Sequence, residues 1–224
     1  MTKSSAKVKQ MVVVALRCAL AYMCVFIFRF KVSFLTFDAK DAILTLASFL
    51  YGPLTGVISS LLVAFLEFFT ISDTGVYGLL MNFLSSAAFA GTAGLVYKYR
   101  HTLSGAVLGL VAAVCSMTAV MLVANLLITP YYMNCSVGDV VALIPTLLLP
   151  FNLVKAAMKA GLSYVLYRPL RSALHASGLL PRSETAAVSR GVSAVAIVVA
   201  LVIVVLSALC FIFVLGGNFQ WVRG

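Results

Sequence analysis

From Leu103 to Thr129, and again from Val192 to Gly216, the chain carries no charged side chain. Segments of that length and polarity have few ways to fold. Crossing a hydrocarbon core of about 30 Å takes roughly 20 helical residues. In lipid every backbone amide must find its partner inside the segment or in a closed barrel. Similar stretches recur along almost the whole chain. With 63% hydrophobic and 10% charged residues, the protein lacks the polar surface of a soluble globule, whose charged share is roughly 25%. These features predict an all-α integral membrane protein bathed in lipid, with no separate soluble domain.

The predicted spans run from Met11 to Phe28, Asp41 to Tyr51, Leu54 to Phe69, Val76 to Tyr97, Leu103 to Thr129, Val140 to Tyr167 and Val192 to Gly216. The second and third are short and separated only by Gly52-Pro53, a dipeptide that breaks a helix and predicts a tight hairpin. A polar stretch over residues 171–190, with Gly178, Pro181 and several serines, divides a six-helix membrane domain (1–170) from an additional helix and short tail (191–224). Lys3, Lys7 and Lys9 before the first span resemble the charged start of a signal peptide, but Arg17 interrupts the apolar run and no cleavage pattern follows. The segment is read as a mature first helix.

The formal net charge of +10 does not point to nucleic acid, because the basic residues form no patch interleaved with aromatics. They sit at helix ends. A cytoplasmic N-terminus puts Lys3, Lys7, Lys9, Lys98, Arg100, Arg168, Arg171, Arg182 and Arg190 inside. Arg29, Lys31, Lys40 and Arg223 are left outside, as the positive-inside bias requires. Asp38, Asp41, Asp73 and Asp139 then fall outside and Glu184 inside. The five cysteines lack the spacing of a zinc site or disulfide framework; Cys18, Cys24, Cys115 and Cys210 read as small core residues and Cys135 as a loop thiol. No internal repeat is evident, which argues against a carrier built from inverted halves.

Polar groups inside hydrocarbon are costly and usually face protein or a cavity. At a rise of about 1.5 Å per residue, Glu67, Asn82 and Asn125 lie near the outer ends of their spans, and Asn152 and Lys155 lie deeper in the sixth. Asn152, Lys155 and Lys159 follow the i, i+3, i+7 spacing of one helical face. Two readings stand: an outward-facing pocket of amides and an ammonium, or hydrogen bonds that tie membrane helices together. Glu67 is a candidate partner for Lys155. Lys159 and Arg17 read as snorkelling residues. Aromatics at the outer mouth (Phe34, Phe37, Phe65, Phe68, Phe69, Tyr77, Tyr131, Tyr132) suit an interfacial belt, a few of them placed to stack on a flat ring. Ala15 and Ala19, four residues apart, let another helix approach closely.

The short spans around Phe49-Leu50-Tyr51-Gly52-Pro53-Leu54, the loop Ser72-Asp73-Thr74-Gly75 followed by Asn82, and the string Pro150-Phe151-Asn152-Leu153-Val154-Lys155 resemble the substrate-binding S components of energy-coupling factor vitamin transporters. Within them the likeness is to riboflavin-specific members of the RibU type, over about residues 10 to 170. The resemblance implies a six-helix bundle that takes riboflavin or a related flavin from outside and docks on a membrane coupling subunit driven by two ATPase subunits. It also implies that Asn125, Asn152 and Lys155 hydrogen-bond the flavin, that Ala15 and Ala19 contact the coupling subunit, and that the loop from Arg29 to Lys40 forms an outer lid. The seventh helix departs from the pattern. No metal or cofactor is expected, the flavin being cargo.

An S component for another vitamin or heterocycle stays open; from other classes, an intramembrane enzyme is the main rival reading and a small channel or structural membrane partner a third. His101 and His175 fall at cytoplasmic ends in no metal-ligand spacing, and no Gly-rich phosphate loop with Lys and Ser or Thr is present. A transport subunit in the plasma membrane, hydrolysing no ATP itself, is the expectation carried forward.

Overall fold

The computed structural model describes residues 3–27, 29–32, 35–72, 74–176 and 190–213. In chain order these form α1 (Lys3–Ile27), a hairpin of β1 (Arg29–Val32) and β2 (Leu35–Asp38), α2 (Lys40–Tyr51), α3 (Pro53–Thr70), α4 (Gly75–Tyr99), α5 (Leu103–Met133), α6 (Val137–Leu143), α7 (Leu149–Ala176) and α8 (Arg190–Phe213). One π-helical turn, Ile144–Leu148, joins α6 to α7, so the two make a single crossing. The result is a six-helix bundle with a seventh membrane helix added at its C-terminal side. Among the described residues, four helical segments, the joined α6 and α7 being one, are long and apolar enough to cross a membrane by length and composition.

The 12-residue α2 is short because it is an interior helix. It packs against α1, α3, α4 and α7, and Lys40, Asp41, Ala42, Leu44 to Phe49 are all buried. Its end is set by Gly52, whose φ of 95° lies in a region open to glycine, followed by Pro53 at the first turn of α3. The hairpin predicted at Gly52-Pro53 is therefore present. Ser48 faces Gly56 and Gly94, where an added Cβ would approach its side chain to 2.7 Å or closer, so α2, α3 and α4 meet with almost no intervening side chain.

The deepest apolar core joins Phe49, Phe89, Tyr97, Met117, Tyr164 and Tyr167. Tyr97 and Tyr167 share a hydrogen bond of 2.9 Å between their hydroxyls, and Phe49 stacks against both rings. Cys18 and Ala21 of α1 join Leu44, Val63 and Ala90 in a second cluster. Val8, Met11, Val12, Leu16, Leu20 and Met23 of α1 are exposed on the outside of the bundle. Arg17 does not simply snorkel: its guanidinium lies 5.1 Å over the Tyr51 ring. Of the five cysteines only Cys18 is buried, and Cys115 is exposed on the bundle's outer surface. The core role expected for Cys115 is thus corrected.

Two local features differ from the sequence expectation, and a third shapes the entry to α7. The segment after α1 is an antiparallel hairpin pairing Arg29 with Asp38 and Val32 with Leu35, where a loop was expected. Pro145 within the π turn and Pro150 just after it lack an amide donor, and the Leu149 amide bonds back to Ile144 O. Helix α7 also continues through Ala176; residues 177–189, which hold most of the predicted polar linker, lie outside the described residues. Asp73, Phe34 and the side chain of Phe37 do so as well.

Helix α8 packs on α7. Gly161 permits the contact, since a Cβ there would stand 2.8 Å from Val204 and 3.0 Å from the Ala200 carbonyl. The opposite side of α8 (Val198, Leu201, Val202, Val205, Leu209) is exposed and wholly apolar, as lipid contact requires.

Candidate functional site

A cavity enclosing about 850 Å³, open mouth included, lies between α3, α4, α5 and α7 at the end of the bundle that carries the α3–α4 loop. Glu67, Asn82, Asn152 and Lys155, all singled out from the sequence, line it together. Phe68, Tyr77, Tyr132 and Phe151 supply aromatic surface, and Thr129 a hydroxyl.

Each polar group is held by a local cause. The Lys40 ammonium, at the start of α2, donates to Glu67 Oε1 at 2.5 Å. Asn82 Nδ2 donates to Glu67 Oε2 at 2.8 Å. The carboxylate thus has a partner on each oxygen and stitches α2, α3 and α4 together. Asn152 Nδ2 donates to Leu148 O at 2.8 Å, tying the amide to the π turn just before it; such irregular turns recur at functional sites because they reorient side chains.

Lys155 does not pair with Glu67, the partner the sequence offered. Its Nζ stands 3.8 Å from Asp38 Oδ2, at the end of the hairpin, and 5.9 Å from the centre of the Phe151 ring. Lys40 Nζ is 3.7 Å from the same Asp38 oxygen. One helical turn deeper than Lys155, Lys159 pairs with Asp41 and donates to Ser85 Oγ at 3.1 Å. It is 1% exposed, so the snorkelling expected for it is corrected: α2 offers a carboxylate at that depth.

Among the described side chains, Asp38, Asp41 and Glu67 thereby face Lys40, Lys155 and Lys159 in one buried cluster. Unpaired buried charges cost several kcal/mol each after relaxation, and close pairing offsets that cost. Asn125 is fully buried, but it is absent from the cavity lining. Its Nδ2 donates to Met121 O at 2.7 Å and its Oδ1 accepts from Thr129 Oγ1 at 3.0 Å, so it backs two lining residues. Ala15 and Ala19 are exposed on α1 and are not among the residues lining the cavity.

Comparison with known proteins bears on this arrangement. The family model of the ECF transporter, substrate-specific component, matches residues 9–167. The chain belongs to this family. An S component of a bacterial ECF transporter, solved structurally, superposes with a TM-score of 0.65 at 28% identity, covering 75% of this chain and 98% of that one. The riboflavin transporter RibU of Staphylococcus aureus (strain TCH60) is 30% identical over 177 residues, which are 74% of this chain and 92% of the relative. The ECF family match ends at Tyr167, before α8. The cavity and its charged cluster lie wholly within the region this S component shares with its family.

Sequence reasoning missed Asp38, Lys40, Asp41 and Phe151 as parts of the site. The first three read as a charged outer loop, since charge is the ordinary composition of an exposed connection. A signal was present in Arg-Phe-Lys-Val and Leu-Thr-Phe-Asp, two alternating segments separated by two residues, the pattern of a β-hairpin.

Proposed function

We propose that this chain is the capture subunit for riboflavin or a closely related flavin, taking it from outside the cell and delivering it through a separate ATP-driven module. The observation that carries the reading is the makeup of one cavity wall: a carboxylate that accepts, two amides that donate and accept, and an ammonium that donates, beside four aromatic rings. An isoalloxazine is flat and apolar on its faces, with carbonyls and an imide N–H on its edge. A mostly apolar pocket with a few convergent polar groups suits it. The riboflavin transporter among the relatives supports the same ligand.

In this reading Asn152, Lys155, Asn82 and Glu67 face the ligand, Asn125 steadies the wall behind Thr129, and the hairpin of β1 and β2 is the lid. The exposed stripe of α1 containing Ala15 and Ala19 meets the membrane coupling subunit, on which two ATPase subunits act. The N-terminus is cytoplasmic in the plasma membrane, which turns the cavity mouth outward. Titrating the purified protein with riboflavin and with a panel of other vitamins tests the proposal. Submicromolar riboflavin affinity and flavin in the mass spectrum of copurified ligand are expected; no flavin binding, with tight binding of another vitamin, overturns the flavin assignment.

A further inference from the structure

Asn125 and Thr129, one turn apart on α5, form a hydrogen-bond chain whose direction is fixed from one end. The Met121 carbonyl can only accept, so the Asn125 amide must turn its Nδ2 toward it, at 2.7 Å. That leaves Oδ1 facing Thr129, where it accepts the hydroxyl at 3.0 Å. A hydroxyl carries one hydrogen. In Thr129 that hydrogen is spent inside the wall, so any group that meets this oxygen from the cavity has to be a donor. Asn125 is 0% and Thr129 3% exposed, and of the two Thr129 alone lines the cavity.

The other uncharged polar groups of the lining are less restrictive. Asn82 and Asn152 each spend one amide hydrogen, on Glu67 and on the Leu148 carbonyl, and keep a second hydrogen beside a carbonyl oxygen. Both Glu67 oxygens already accept, from Lys40 and from Asn82. Beside Thr129, α5 contributes Met121 and Ile128 to the lining, apolar side chains that suit a flat ring better than a hydroxylated chain. An oxidised isoalloxazine has a single N–H, that of its imide, set between two carbonyls that only accept.

We propose that Thr129 is the acceptor that reads the imide N–H of the flavin, so that the cavity selects rings bearing a donor at that position. A ring that carries a methyl group there, or any acceptor, meets an oxygen that has no hydrogen to give. Leaving a buried polar group unpaired costs more than a hydrogen bond contributes, which is how a site built to bond one group rejects the analogue that lacks it.

This assignment rests on the flavin-capture reading, and its test separates the two. Three ligands are titrated by calorimetry into the full chain in detergent: riboflavin, 3-methylriboflavin, and lumiflavin, which keeps the ring and its N–H but lacks the sugar-alcohol chain. The proteins are the wild type, Thr129→Val and Thr129→Ser. The wild type is expected to favour riboflavin over its methylated analogue by about ten-fold or more. Thr129→Val, of nearly the same shape, should weaken riboflavin and lumiflavin alike and shrink that preference about ten-fold, and Thr129→Ser should keep it. If Thr129→Val does not purify as a folded protein, Thr129→Ala removes the same oxygen and the same shift is expected. A wild type indifferent to the methyl group overturns the assignment. So does a Thr129→Val preference within about two-fold of wild type, the signature of a merely structural residue. Weakening of riboflavin with lumiflavin unchanged overturns it too, by placing a hydroxyl of the chain at Thr129. Wild-type protein that binds no flavin removes the capture reading, and the role of Thr129 with it.

Discussion

At the residue scale the site is governed by how its buried charges are shared. Lys155 faces the cavity, so Lys155→Met, which keeps much of the stem's volume, removes a charged donor. Losing a hydrogen bond to a charged group costs about 1.5 to 3 kcal/mol. Flavin affinity is therefore expected to fall roughly ten- to hundred-fold, read by titration beside ligand-free melting. A melting temperature that collapses while affinity of the folded fraction holds would make Lys155 a structural residue instead. Lys40 is expected to behave in the opposite way. It does not line the cavity, and its loss strands Glu67 with one oxygen unpaired, a change of the kind that costs roughly 3 to 5 kcal/mol. Lys40→Met should thus lower ligand-free thermal stability markedly, and Lys40→Met combined with Glu67→Gln should recover part of the loss. Failure of the double variant to recover any stability would show that Glu67 is not the group Lys40 serves.

At the scale of whole elements, α1 and α8 each present one face to the bundle and one away from it. Cys18, Ala21 and Val25 of α1 are buried, while Ala15 and Ala19 lie on its exposed side. Ala19→Trp is accordingly expected to leave flavin affinity intact and to prevent copurification with the coupling subunit, because a bulky side chain blocks close helix approach. Loss of flavin binding by that variant would put Ala19 in the internal packing. Helix α8 leans on Gly161 of α7, where no side chain fits without displacing Val204 or the Ala200 backbone. Gly161→Leu should lower thermal stability by loosening α8 while flavin affinity changes less than about two-fold, since no described residue of α8 lines the cavity. A large loss of affinity would mean that α8 props the site through α7.

For the molecule as a whole, the proposed capture role calls for partners that supply energy. Expressed in cells lacking the coupling module, the chain is expected to bind flavin at the surface without accumulating it, and uptake assays with and without the module check this; concentrative uptake by the chain alone would refute it. Much of this organisation was legible in the sequence, because lipid imposes its demands locally. Each span must be apolar for about 20 residues, so helix number and order follow from one-dimensional composition, and Glu67, Asn82, Asn152 and Lys155 stand out as polar groups in apolar runs. Their depth and shared helical face left two readings, a common pocket or ties between helices. What composition does not carry is which charge meets which. Asp38, Lys40 and Asp41 look like a solvated loop because their charges crowd together in the sequence, and only the burial of α2 between four other helices, with Asp38 just ahead of it, brings them into the core. Lys159 likewise needed Asp41 from another element before it had any reason to stay inside. Helix formation in a membrane is decided by each segment's own residues; the partners of a buried charge are decided by groups distant in sequence, and tertiary packing alone brings those together.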